Sequence, residues 1–123
     1  MRLNPSPNGS IIKENTTAKG KNMKITDIIT GARPCLSFEV FPPKTDDKFA
    51  AVSSATHEIA ALRPGFMSVT YGAGGGTSEF TANIAQDIQE KYGVTTIAHL
   101  TCVSSTKQQI RDRLSDLRAR GIE

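Results

Sequence analysis

The sequence predicts a parallel α/β fold assembled from βα units, and three observations carry that prediction. Short apolar runs alternate with amphipathic helical segments, the alternation recurs about every 30 residues, and proline or glycine marks the junctions. The first run, Cys35 to Phe41, precedes Pro42-Pro43 and a helical segment from about Asp46 to Leu62. Phe49, Val52, Ile59 and Leu62 give that segment its apolar face. The second run, Phe66 to Tyr71, leads through a glycine loop to a helix starting near Thr77 or Ser78, striped by Phe80, Ile84 and Ile88. The third, Thr95 to Thr101, leads to a helix from about Thr106 to Arg120, striped by Ile110, Leu114 and Leu117, with Gly121 at the position after its cap.

The chain stops at Ile122-Glu123, where a fourth strand is expected to begin. Three units cannot close a barrel, which takes eight strands. The expectation is therefore an incomplete repeat with an exposed edge on its third strand.

Hydrophobic residues make up 37% of the 123-residue chain and charged residues 22%, the balance of a globular protein. No apolar run approaches the roughly 18 residues of a membrane span, and the N-terminus lacks the apolar core of a secretory signal. A cytoplasmic protein with no membrane partner is expected. Cys35 and Cys102 both fall in apolar runs, so they are expected to be buried, reduced thiols, with neither a disulfide framework nor a metal site. The formal charge of +3 belongs to the N-terminus: residues 1–24 carry +4 and residues 25–123 carry −1. No aromatic residue interleaves those lysines, which argues for solvating charge and against a nucleic-acid partner. Residues 1–22 are polar and predicted to be a disordered tail, with the folded part beginning at Met23.

Ligands of parallel α/β folds bind at the C-terminal ends of the strands. Side chains alternate between faces, so Ser37, Glu39 and Phe41 share one face of the first strand. Leu36, Phe38 and Val40 share the other, suited to packing under helices. Thr70 of the second run and His99 of the third fall on the same interior face as Glu39, at similar heights. A carboxyl amid Phe38, Val40 and Phe41 has two readings. Burial would raise its pKa and make it a proton donor near neutrality, or a basic partner elsewhere would satisfy it as a structural ion pair. Thr70 also suits a strand on propensity alone, and His99 also fits a hydrogen-bonded interior residue. The loop Gly72-Ala73-Gly74-Gly75-Gly76 matches neither the dinucleotide fingerprint nor a phosphate-binding loop, since Thr77 stands where each needs another residue.

Three strings, SFEVFPPK at 37–44, SVTYGAGG at 68–75 and AHLTC at 98–102, stand in order and register. Together they resemble the start of the methylenetetrahydrofolate reductase family, over about Met23 to Glu123. The resemblance implies a parallel (β/α)8 TIM barrel holding FAD, of which only the first three βα units are present in this chain. It implies reduction of 5,10-methylenetetrahydrofolate to 5-methyltetrahydrofolate, feeding methionine synthesis, with NADH or NADPH as reductant and a homo-oligomer at full length. On matched positions, Glu39 would be the general acid. Thr70 would meet the flavin's reactive edge and the nicotinamide, and Tyr71, Ala73 and His99 would hold FAD. Further flavin and folate residues of the family, including an aspartate after strand four, would fall beyond residue 123.

Two other readings compete. One is a catalytically inert fragment with at most an interaction role. The other is a barrel lyase or aldolase using Glu39 without flavin, which the lack of a strand-end lysine weakens in its Schiff-base form.

Overall fold

The computed structural model describes residues 23–71 and 78–122. The predicted tail at 1–22 and the glycine loop, with Ala73 in it, lie outside the described residues.

A short helix α1 (Ile25–Ile29) precedes strand β1 (Ser37–Val40). A single 3-10 turn (Asp46–Lys48) then runs into helix α2 (Phe49–Ala61). Strand β2 (Phe66–Val69), helix α3 (Ser78–Tyr92), strand β3 (Thr95–Ala98) and helix α4 (Lys107–Ala119) complete the order. The strands form one parallel sheet in the order β1-β2-β3. The expected α/β class and parallel pairing are therefore present. Each strand is shorter than the apolar run that announced it, because flanking residues continue the ladder with single bonds. Gly65 donates to the Leu36 carbonyl at 2.9 Å, Thr70 to Val40 at 2.9 Å and His99 to Val69 at 3.0 Å. At Gly65 the backbone passes so close to the Cys35 sulfur that a Cβ would collide with it.

The register sets Phe38 beside Met67 and Thr96, and Val40 beside Val69 and Ala98. These rows face the helices. Met67, Val69 and Ile88 are completely buried and pack with Ile84, Ala85 and Val94 as the core. Each such apolar side chain contributes about 1.5–3 kcal/mol by leaving water. Thr96, the one polar member of its row, is satisfied: its hydroxyl lies 3.1 Å from the Gln89 amide oxygen and 3.3 Å from the Ala85 carbonyl.

Helix α4 starts in a reciprocal cap: the Thr106 hydroxyl accepts from the Gln109 N–H, and the Gln109 side chain accepts from the Thr106 N–H. It ends at Gly121 with φ 71°, where Gly121 donates to Arg118 and Ile122 to Leu117, both at 2.9 Å. The glycine stands where the sequence placed it. After α2 the same left-handed position is held by Arg63, at φ 53°.

Four expectations need correction. Cys35 and Cys102 are exposed, because each lies just outside its strand, in a connecting segment. Leu36 is 64% exposed, since it precedes β1 and lies outside the packed core. Leu62, at 73% exposure, caps α2 and turns away from the core that Phe49, Val52 and Ile59 touch. On α4 no residue is buried and Leu114 is 41% exposed, so its stripe is only partly covered. Helix α1 had no counterpart in the sequence reading: five residues are too few to show a period.

Polar contacts hold α4 to α3. Arg120 donates from Nε to both Asp116 oxygens at 3.0 Å, and from one terminal nitrogen to Asn83 and Gln86 at 2.8 Å. Gln89 donates to the Gly121 carbonyl at 2.7 Å. Hydrogen bonds to a charged donor contribute about 1.5–3 kcal/mol. Arg120→Met should accordingly speed amide hydrogen exchange across α4 by about 10-fold or more while α2 keeps its rates. Uniform acceleration of all helices, or none, would show that Arg120 does not hold this contact.

Candidate functional site

The helices cover one face of the sheet, and the other face carries Ser37, Glu39, Phe66, Ser68, Thr95 and Ile97. Among the described residues no element packs over it. Val40 is buried at 7% exposure on the helix side, whereas its neighbour Glu39 is exposed.

Glu39 and His99 meet on this open face. The Nε2 of His99 lies 3.6 Å from Oε1 of Glu39, an ion-pair separation if the imidazole is protonated and too long for a direct hydrogen bond. The two side chains come from β1 and from the residue just past β3, with β2 between them. Glu39 is level with Ser68 and Ile97, so His99 stands two strands across and two residues further along, roughly 11–12 Å between backbones. Ser68 occupies the register position between Glu39 and Ile97, and its small side chain leaves the carboxylate room to reach across. The sequence reading missed Ser68. Its signal was a small polar residue inside the apolar run Phe66 to Val69, on the Glu39 face.

The expected burial of Glu39 is not found: its side chain is 45% exposed and that of His99 42%. The apolar residues flanking Glu39 in sequence point the other way or stay in water. Phe38 and Val40 turn to the helices, and Phe41 is 66% exposed. An apolar sequence neighbourhood in a strand thus does not desolvate the residue between.

Thr70 and Tyr71 follow β2 directly, both half-buried. Thr70 is fastened on both sides: its N–H donates to Val40, and its carbonyl accepts from the Thr81 hydroxyl at 2.9 Å. Thr81 itself is 2% exposed, in the first turns of α3, so this bond fixes the start of α3 against the end of β2. Tyr71, His99, Arg113 and Asp116 line a small cleft between the strand ends and α4. Glu39, Thr70, Tyr71 and His99 are thus gathered at one end of the sheet.

The second histidine serves packing. His57 of α2 lies 3.6 Å from Asp87 of α3, with its ring 5.6 Å from that of Tyr92. Asp87 also accepts from Lys91 at 2.8 Å, and that hydrogen bond raises the Lys91 pKa above its ordinary value. Among the described residues no group of three or more histidine, cysteine, aspartate or glutamate side chains is placed to hold a metal ion.

The profile of the methylenetetrahydrofolate reductase family matches residues 24–123. A 5,10-methylenetetrahydrofolate reductase from Pectobacterium carotovorum is 38% identical over 87 residues, covering 71% of this chain and 29% of that protein. One from Buchnera aphidicola is 42% identical over 76 residues, 62% of this chain and 26% of the relative. A methylenetetrahydrofolate reductase (NADH) from Arabidopsis thaliana is 34% identical over 100 residues, 81% of this chain and 17% of the relative. The chain therefore spans less than a third of the length of these relatives.

The Thr81–Thr70 bond yields a test of how the strand end is held. Thr81→Val keeps the shape and removes the donor, leaving the Thr70 carbonyl short of a partner at a cost of about 1–2 kcal/mol. The thermal midpoint of the 123-residue chain should fall by roughly 4–8 °C for each kcal/mol lost. An unchanged midpoint would show that α3 is anchored by other contacts.

Proposed function

Because the chain belongs to the methylenetetrahydrofolate reductase family, we propose that it forms the first three βα units of a flavin-dependent (β/α)8 reductase barrel. The reaction would reduce 5,10-methylenetetrahydrofolate to 5-methyltetrahydrofolate with NADH or NADPH. In this reading residues 23–123 are the opening of the barrel and residues 1–22 a polar tail. The relative from Arabidopsis carries NADH in its name, which favours that reductant. The complete protein would be a cytoplasmic homo-oligomer serving methionine synthesis. No helix among the described residues is long and apolar enough to cross a membrane.

The observation that carries the proposal is the meeting of Glu39 and His99 beside Thr70 at the strand ends. A carboxyl there can give a proton to the folate nitrogen as the five-membered ring opens to the iminium that accepts hydride. The residues present also suit a flat, part-apolar heterocycle. Phe41 and Ile97 offer apolar surface, and Thr70, Tyr71 and His99 offer polar tips around one sheet end. Thr70 would lie against the reactive edge and the nicotinamide, and Tyr71, Ala73 and His99 would hold FAD. Hydride transfer would be the flavin's own chemistry, which the protein orients.

Two outcomes test this. In a full-length reductase carrying this segment, Glu39→Gln should retain flavin absorbance and flavin reduction by NAD(P)H. Its folate turnover should fall on the order of 100-fold or more, because the amide keeps the shape and lacks the proton. Near-normal folate turnover would remove Glu39 from the chemistry.

The 123-residue chain alone should neither hold FAD through gel filtration nor oxidise NAD(P)H with menadione. Its site is open along a whole sheet face and would leave the isoalloxazine largely in water. A yellow, active eluate from this chain would overturn the claim that more of the barrel is required.

A further inference from the structure

We infer that the acid in this site is the Glu39–His99 pair, one proton held between them, with His99 the store that loads the Glu39 carboxyl. The inference rests on the reading of Glu39 as proton donor, and it answers a difficulty that the structure raises for that reading. A carboxyl kept protonated by burial would need no helper, and within these three βα units no described element buries Glu39, whose side chain is 45% exposed. Carboxylates in water are ionised at neutral pH and make poor acids there. Imidazole is the side chain that gains and loses a proton near neutrality. One stands 3.6 Å away, and among the described residues Glu39 has no other ion-pair partner.

The surroundings leave the pair to itself. On the Glu39 side the neighbouring positions of the open face are Ser37, Ser68 and Ile97, none of which titrates near neutrality. On the His99 side the cleft adds Tyr71, Arg113 and Asp116. Asp116 is already engaged by Arg120 through both oxygens at 3.0 Å, which leaves Glu39 as the carboxylate facing the imidazole.

The proton count closes without another reactant. When His99 is protonated, its imidazolium N–H faces the carboxylate. The N–H bond breaks as the Glu39 O–H bond forms, giving a neutral pair. That O–H bond then breaks as the folate nitrogen takes the proton, leaving a carboxylate beside a neutral imidazole. Water or buffer reprotonates His99, whose side chain is 42% exposed. At 3.6 Å the transfer needs a closure of about half an ångström or one bridging water, and contacts of this kind commonly shorten when substrate binds. His99 acts through Glu39 and is a positioning and proton-loading residue.

The test has two arms. In the 123-residue chain, which has only two histidines, ring nitrogen NMR signals of His99 should move on Glu39→Gln. Those of His57, paired with Asp87, should stay. In a full-length reductase carrying the segment and reconstituted with FAD, His99→Gln keeps a donor near the Nε2 position but cannot shuttle a proton. Because His99 is also proposed to hold FAD, the flavin content of each variant is measured and every rate is taken per bound flavin. Reoxidation of the reduced flavin by 5,10-methylenetetrahydrofolate should slow about 10-fold or more near pH 7 and lose its near-neutral pH dependence. The corresponding defect of His99→Ala should be rescued by imidazole in the buffer, in proportion to imidazolium. Should Glu39→Gln itself turn folate over normally, the parent reading fails. If instead Glu39→Gln is inactive while His99→Gln keeps the wild-type rate and pH profile, this inference alone fails. Unmoved His99 signals in the first arm also overturn it.

Discussion

The parallel register of three four-residue strands decides almost everything else in this chain. Met67 and Val69 sit between Phe38 and Val40 on one side and Thr96 and Ala98 on the other, and that face is buried. The same register lines Glu39 up with Ser68 and Ile97 on the opposite face. Because side chains alternate with a period of two, slipping β1 by one residue would bury Glu39 beneath α2 and α3 and expose Val40. The cost of an unpaired carboxylate in that core, together with the lost burial of Val40, fixes the register. What places Glu39 on the open face is thus the hydrophobic content of the opposite face.

The helices fill that buried face unequally. Helix α3 supplies Ala82, Ile84, Ala85 and Ile88 at 4% exposure or less, and its alanines let it lie close to β2 and β3. Helix α2 contributes Thr56 and Ala60, with the Thr56 hydroxyl spent on the Val52 carbonyl at 2.7 Å. Helix α4 buries nothing of its own and is tied through Arg120, Leu117 and the buried Ile122 that follows it. Its attachment is polar where that of α3 is apolar, so α4 is the element whose position depends most on a few specific contacts.

The alternation of runs and helices, the starts of α3 and α4 and the glycine at 121 were all legible, because each depends on local chemistry or a short period. Face assignment was legible too: Phe38 and Val40 did turn to the helices, and Glu39 and His99 did converge. Burial was not legible. Cys35, Leu36 and Leu62 look like core residues in sequence, and each lies just beyond the strand or helix whose pattern it extends. Hydrophobic pattern tells which way a side chain points, whereas burial depends on what stands opposite, and for the Glu39 face no described element stands there. The left-handed turn at Arg63 was equally hidden, since neither arginine's own preference nor the following Pro64, which favours extended backbone, announces it.

That difference between orientation and burial bears on how a proton donor can work here. A carboxyl can be kept protonated by removing water, by a like charge, or by hydrogen bonds to its neutral form. The first needs a layer over the open face, and among the described residues there is none. In the proposed reading the proton is then supplied by a neighbour rather than retained by desolvation, and His99 is the neighbour that lies 3.6 Å away. A layer closing over the face would change the balance between the two mechanisms without moving either residue: the attraction between imidazolium and carboxylate would strengthen as water left, and so would the cost of keeping both charged. The neutral pair, with the proton on Glu39, gains from that cost. In the proposed reading, covering the site would thus favour the neutral pair over the charged one.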